Sequence, residues 1–408
     1  PELQRADDSL REEASLWYVA LTRARRDVLA TAALVDDDGV DTVTSRFCQA
    51  IGDVSRAETQ RLTVSAAAPR PLNQTPCDPH EPRIPIGRPL TTLAPTDLNV
   101  YLACPRKYFY ERVLALQPDE TDAMRLGIFA HLALQRFHEM ERDFSKVHDV
   151  AATAQRHAAT LQALAEQTAS QRATKAGVSE NSGLYRYELS RVQRQLTYYA
   201  HALAKDAHEN PFHVLYCEQL VATDVDGVRV VGRADRIDRL ERGGIAVRDY
   251  KSGKYKRPGA AATTRALLEA REQARAAGAD PNAIFGSMER AISVQMILYL
   301  PGVEALAGEP VTCLDYVYLG GKKETGDDSP TVFDRTTVVS RALPVDSRTA
   351  TAYLTREEID TALREIAGAM VRELSEDRLT AFPTTLVANN CERCGFRRVC
   401  TQTGSVLR

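Results

Sequence analysis

Asp249 and Lys251, separated by Tyr250, place a carboxylate and an ammonium on one face of any strand that carries them, because strand side chains alternate. Upstream, Asp235 stands in Gly232-Arg233-Ala234-Asp235-Arg236-Ile237-Asp238, and Gly243-Gly244 separates the two segments as a tight turn would. Hairpin pairing would bring Asp235 beside Asp249 and Lys251. Two carboxylates hold a hard divalent cation such as Mg²⁺, while a lysine beside them positions an attacking water or offsets charge on a scissile phosphate. An isolated Asp-x-Lys is more often a solvated surface pair, so the assignment rests on its context. Glu218, on the preceding strand, is a weaker candidate for a further carboxylate.

The positioning elements follow from periodicity. Phe212 to Thr223, Val228 to Leu240 and Ile245 to Tyr250 read as an antiparallel meander, with Asp226-Gly227 as its other turn. Before it, Thr96 is the expected N-cap of a helix through Leu98, Tyr101 and Tyr108, and helical sequence continues to about residue 208, interrupted near 177–183. His131 lies in this region, within Leu126-Gly127-Ile128-Phe129-Ala130-His131-Leu132, where a core histidine is the plainer reading. Residues 256–290 read as a helical insertion. They precede a helix over 292–300 that sets Gln295 and Tyr299 four apart on one face, and an apolar strand follows over 311–319. Thr355 and Glu358 form a capping box for a helix whose apolar face is Ile359, Leu363, Ile366, Met370 and Leu374. These elements give an α/β protein, a mixed central sheet flanked by helices with a large helical insertion.

A helical His, then G-x-x-D-x-x-D, then D-Y-K-S-G, then Q-x-x-x-Y, in that order, resembles the RecB-like branch of the PD-(D/E)XK nucleases. The likeness covers roughly residues 96–400. It implies a restriction-endonuclease-like core, an active site of His131, Asp235, Asp249 and Lys251, and metal ligation of Mg²⁺ or Mn²⁺ by His131, Asp235 and Asp249. Gln295 and Tyr299 are then the accessory helix motif, set apart from Lys251 by the insertion.

Eight cysteines in 408 residues are too few for a secreted disulfide scaffold, and three of them, Cys391, Cys394 and Cys400, crowd one end. Cys104 supplies a fourth thiol inside Tyr101-Leu102-Ala103-Cys104-Pro105-Arg106-Lys107-Tyr108-Phe109. Spacing alone leaves zinc and iron–sulfur both open. One cysteine before the nuclease motifs and three after them is similar to the iron-staple nuclease domains of AddB, the AdnAB enzymes and the CRISPR-adaptation nucleases. That resemblance implies a [4Fe-4S] cluster on Cys104, Cys391, Cys394 and Cys400.

Near the start, Tyr18-Val19-Ala20-Leu21-Thr22-Arg23-Ala24-Arg25 looks like motif VI of UvrD-type superfamily 1 helicases, in which an arginine, here Arg23, approaches the ATP γ-phosphate. The sequence contains no G-x-x-x-x-G-K-[ST], so it should not hydrolyse ATP alone. The expected organisation is a motor remnant over 1–64, a proline-rich linker over 65–95 and a nuclease domain over 96–408. The remaining motor, a second helicase–nuclease subunit and single-stranded DNA ends are the implied partners.

Composition narrows the field from the other side. A formal charge of −3 with 44% hydrophobic and 26% charged residues excludes a disordered chain and bulk-charge nucleic-acid binding, leaving room for a local basic groove. No apolar run suits a signal peptide or a membrane span, so a cytoplasmic protein is expected. The reading is a metal-dependent deoxyribonuclease module of a helicase–nuclease that processes double-strand-break ends. A catalytically silent, metal-stapled DNA-binding or scaffolding domain is the alternative.

Overall fold

The computed structural model describes residues 84–85, 92–116, 122–175, 183–253, 255, 260–286, 288, 294–321, 331–340, 353–375, 379–380, 382–385, 387–392, 394–397 and 400. All belong to the unit Gln74–Arg408. Arg23 with its helicase-like motif, and most of the proline-rich stretch, lie outside the described residues.

Strands β1 (Ile84–Pro85) and β2 (Thr92–Leu93) precede helices α1 (Pro95–Ala103) and α2 (Pro105–Tyr108), and a π-helical turn, Phe109–Val113, extends α2. Three long helices follow, α3 (Asp122–Met140), α4 (Val150–Lys175) and α5 (Gly183–Glu209), before the meander β3 (Phe212–Val225), β4 (Val228–Leu240) and β5 (Ile245–Lys251). The crossover from β5 carries α6 (Ala260–Ala276) and α7 (Gln295–Ala307) and returns as β6 (Val311–Tyr318), parallel to β5. β7 (Val332–Val339), β8 (Tyr353–Thr355), α8 (Arg356–Ala362), a π-helical segment over Leu363–Gly368, α9 (Ala369–Ser375), β9 (Leu379–Thr380) and α10 (Ala388–Glu392) complete the order.

The sheet runs β2-β4-β5-β6-β7-β8, with β3 also paired to β4, and mixes parallel with antiparallel neighbours. Alternation along β5 and β6 divides the core. Ile245, Val247, Leu314 and Tyr316 join a front core with α1, α6, α7 and α9, whereas Ala246, Tyr250, Cys313 and Val317 join a rear core with α3, α4 and α5. Helices cover both faces of β5, which is why it is buried along nearly its whole length, charged Arg248 and Asp249 included.

The meander, the insertion helix, the α7 and β6 elements and the Thr355 cap stand as the sequence indicates, with Ile359, Ile366, Met370 and Leu374 all buried. Thr96 is not the N-cap: Ala94 is, because Pro95 occupies the first helical position and the Asp97 carboxylate accepts from the Ala94 amide at 2.9 Å. The helical region also breaks between Met140 and Val150, where the Phe144 amide donates to the Phe212 carbonyl and Asp143 bridges His213, covering the start of β3. The expected linker overlaps β1, which pairs antiparallel with β9, and β2, which pairs parallel with β4. Proline is tolerated in such a short marginal strand as β1. Among the described residues, no helix is long and apolar enough to cross a membrane.

Candidate active site

Arg236 and Arg248 are the last paired residues where β4 meets β5, so Asp235 and Asp249 occupy the next opposed positions, beyond the ladder. There the Asp235 Oδ2 accepts the Tyr250 amide at 2.7 Å, a side chain completing what backbone pairing leaves off. Asp249 is 2% exposed. Its Oδ2 lies 2.5 Å from Lys251 Nζ, yet it is a buried atom with no directed hydrogen bond. From the third strand, Glu218 falls between the paired positions Cys217↔Arg236 and Gln219↔Ala234, opposite Asp235. It adopts a left-handed backbone, φ 48°, rare for a residue with a β-carbon.

α3 contributes His131 from the rear layer. Its Nε2 lies 3.1 Å from the Tyr250 carbonyl, which can only accept, so Nε2 carries the proton and Nδ1 presents a lone pair. That lone pair faces Asp235 Oδ2 at 3.6 Å and Glu218 Oε1 at 3.9 Å. Burial lowers the His131 pKa, with the Asp249 charge opposing it. Burial raises the Asp235 carboxyl well above the usual range, the Asp249 charge adds to this, and the Tyr250 amide works against it. Glu218 is likewise raised by burial, against the pull of Arg233.

A histidine lone pair and carboxylate oxygens too far apart to hydrogen-bond, all within 4.8 Å of one another, fit the ligand shell of one hard divalent cation. Burial raises both carboxyls, and a cation bound among them would oppose that shift. The compact group is His131, Glu218 and Asp235, with Asp249 beside it and turned to Lys251. Glu218 therefore stands closer to the centre than its sequence context indicates. Its left-handed backbone has no periodic signature, and only its place beside the hairpin marks it.

α7 closes the front. The Lys251 ammonium is 3.5 Å from Gln295 Oε1, the Gln295 Nε2 donates to the Tyr299 hydroxyl at 2.7 Å, and that hydroxyl donates to the Arg233 carbonyl at 2.9 Å. A β-carbon at Gly232 would come within 2.4 Å of the Tyr299 ring, so this glycine lets α7 reach β4. Gln295 and Tyr299 thus meet the hairpin despite the insertion between them.

A second site lies at the ends of the unit. Cys104, Cys391, Cys394 and Cys400 line one cavity of about 220 Å³ together with Tyr110, Phe396, Arg106, Lys107 and Arg397. The Cys104 Sγ caps α2, accepting from the Lys107 amide at 3.4 Å, and burial raises the thiols of Cys104 and Cys391. Asn390 Nδ2 ties the two ends, donating to Ala103 O at 3.1 Å and Met288 O at 2.8 Å. Two of the basic residues are engaged within the domain, Arg106 with the Phe382 carbonyl at 2.6 Å and Lys107 with Glu111 at 3.3 Å.

A mixed sheet between helical layers, with acidic residues at adjoining strand ends and a lysine two residues beyond one of them, is the architecture of restriction-endonuclease-like phosphodiesterases. The chain belongs to the PD-(D/E)XK nuclease superfamily, whose family model matches residues 92–401. Members of that superfamily are typically metal-dependent nucleases. A comparison with curated proteins found no match.

Proposed function

We propose that this chain is the nuclease module of a helicase–nuclease that hydrolyses phosphodiester bonds in single-stranded DNA while processing double-strand-break ends. The observation that carries the nuclease reading is the meeting of His131, Glu218 and Asp235 beside the Asp249–Lys251 pair. In this reading His131, Asp235 and Asp249 hold Mg²⁺ or Mn²⁺, with Glu218 completing or supporting the shell. When bound, the ion supplies Lewis-acid polarisation of the scissile phosphate and eases deprotonation of water. Asp249 orients that water. Lys251, held near Gln295, offsets the negative charge that grows on the phosphate, and Tyr299 fixes Gln295 against β4.

The helicase connection rests on the motif around Arg23, which would serve ATP chemistry in a complete motor and not in this sequence alone. Residues 1–64 are accordingly assigned to that motor and 65–95 to a connection whose last stretch, β1 and β2, already pairs within the nuclease unit. A second helicase–nuclease subunit completes the proposed assembly.

The four cysteines are assigned to a [4Fe-4S] staple. Among the described residues, three ligand atoms come within 4.8 Å of one another at His131, Glu218 and Asp235, and the cysteines form no such group. What supports a shared group is that the four cysteines line one cavity; its assignment as [4Fe-4S] rests on the sequence resemblance alone.

The deciding experiment incubates the anaerobically purified chain and Asp249→Ala with single-stranded DNA and Mg²⁺ or Mn²⁺. Cleavage by the wild type alone supports the reading. DNA binding with no metal-dependent cleavage would favour the silent scaffold. Iron and sulfide analysis of the wild type and Cys104→Ala tests the staple: zinc in place of iron rejects the cluster, and full iron in the variant rejects Cys104 as a ligand.

A further inference from the structure

Behind the acidic positions, on the opposite face of the same strands, lies an ionic network that the chemistry above does not use. Arg236 follows Asp235 and Arg248 precedes Asp249, the two arginines are cross-strand partners, and both are 0% exposed. Asp238 Oδ2 accepts from Arg236 Nε at 3.1 Å, Arg236 Nη2 at 2.9 Å and Arg248 Nε at 2.7 Å. Arg236 Nη1 faces three acceptors, the Tyr250 hydroxyl at 2.9 Å, the Tyr199 hydroxyl at 2.7 Å and His138 Nε2 at 2.6 Å.

Tyr250 connects this network to the front. Its phenol is held from behind by Arg236, with the Tyr199 hydroxyl 3.1 Å away, while its carbonyl meets His131 and its amide meets Asp235. A rotation of this residue would move the carbonyl, the amide and both flanking side chains, Asp249 and Lys251, together. Nothing in ordinary strand packing requires a buried guanidinium here, and a buried charge is costly unless its partners are fixed.

We propose that Arg236 is a positioning residue for the metal site, fixing the Tyr250 phenol and through it the Asp249–Tyr250–Lys251 backbone. This rests on the nuclease reading. It makes metal affinity depend on an oxygen buried in the rear core, where it touches neither ion nor DNA.

The test uses the full chain carrying Tyr250→Phe, which keeps the ring and removes only the phenolic oxygen, and Arg236→Lys as a second variant. Mn²⁺ binding is measured by calorimetry, cleavage of single-stranded DNA is followed against Mn²⁺ concentration, and DNA affinity and thermal melting are recorded in parallel. Met370→Ala, in the front core away from the site, reports the effect of lost stability alone. The expected result for Tyr250→Phe is about tenfold weaker Mn²⁺ binding and a matching shift of the cleavage midpoint, with rate recovered at saturating Mn²⁺ and DNA affinity unchanged. Met370→Ala should lower melting without moving the midpoint. A Tyr250→Phe protein that melts lower but keeps the wild-type Mn²⁺ midpoint would overturn the proposal and leave the nuclease reading intact. A wild type that neither binds Mn²⁺ nor cleaves would remove both.

Discussion

On the rear of the central sheet, Arg236, Arg248 and Arg335 meet Asp206, Asp238 and Asp315, three cations and three anions linked by contacts of 2.7–3.1 Å. One residue along the same strands, on the front, Glu218, Asp235 and Asp249 face Lys251, the exposed Arg233 beside Glu218, and a histidine whose pKa burial lowers. The rear closes its charge, although Asp238 Oδ1 and Arg248 Nη2 remain without hydrogen-bond partners. The front sets three carboxyl groups against two cations. Both environments come from the same backbone, so fold alone does not set them. The difference indicates that the rear holds geometry and the front keeps electrostatic demand open for a cation.

The comparison breaks most directly at Asp249. Asp249→Ala should lower cleavage on the order of 10³-fold or more with melting unchanged or slightly raised, since it removes an imbalance and leaves no large cavity. A rate near wild type in a DNA cleavage assay would move the chemistry elsewhere. On the rear, Arg248→Met should cost about 3–5 kcal/mol in urea unfolding, because it leaves three buried carboxylates to share only Arg236 and Arg335. A loss under about 1 kcal/mol would mean that the rear network is electrostatically slack.

Glu218→Gly sharpens the contrast inside one residue. Relief of the left-handed backbone should stabilise the fold by about 1 kcal/mol, while loss of the carboxylate raises the Mn²⁺ needed for half-maximal cleavage about tenfold. Calorimetric melting and a metal titration would check the two halves separately.

The smallest expected effect belongs to Asp334, across Tyr316 from Asp249 on the front of the sheet. Burial and Asp315 push its carboxyl up to about 6 from an ordinary 3.8. A raised folded-state value means that the protonated form stabilises the fold below the ordinary carboxylate range, and this contribution is lost as pH rises through about 6. Asp334→Asn should therefore gain stability relative to wild type between about pH 4 and 8, by under about 1 kcal/mol given its partial exposure. Paired melts across that range would reveal the trend or its absence.

Much of the front is legible in the sequence because its logic is local: Asp249 and Lys251 share a face by alternation, Gly243-Gly244 makes the hairpin, and Gln295 and Tyr299 share a helical face. The rear is not legible. Arginines on a strand are ordinarily exposed, and it is partners from distant elements, His138 of α3, Tyr199 and Asp206 of α5 and Asp315 of β6, that take up the buried Arg236 and Arg248. Glu218 is only weakly legible for a different reason, since its left-handed backbone, φ 48°, has no periodic signature. β7 and β8 also go unread: their alternation is weak, and β8 spans only Tyr353–Thr355. Their place comes from the strands they join.

The β1–β9 ribbon has a mechanical consequence. Its two residue pairs, Ile84↔Thr380 and Pro85↔Leu379, set the start of one strand against the end of the other. Tension drawn through the polypeptide at those two ends would therefore peel the ribbon one pair at a time, the weak loading geometry for antiparallel strands. On the C-terminal flank the same load would run along the chain through Asn390, which grips the Ala103 and Met288 carbonyls. The strands of the main sheet all lie between β1 and β9 in sequence, so a pull on the two flanks would meet the ribbon before it reached the strands that carry the acidic residues.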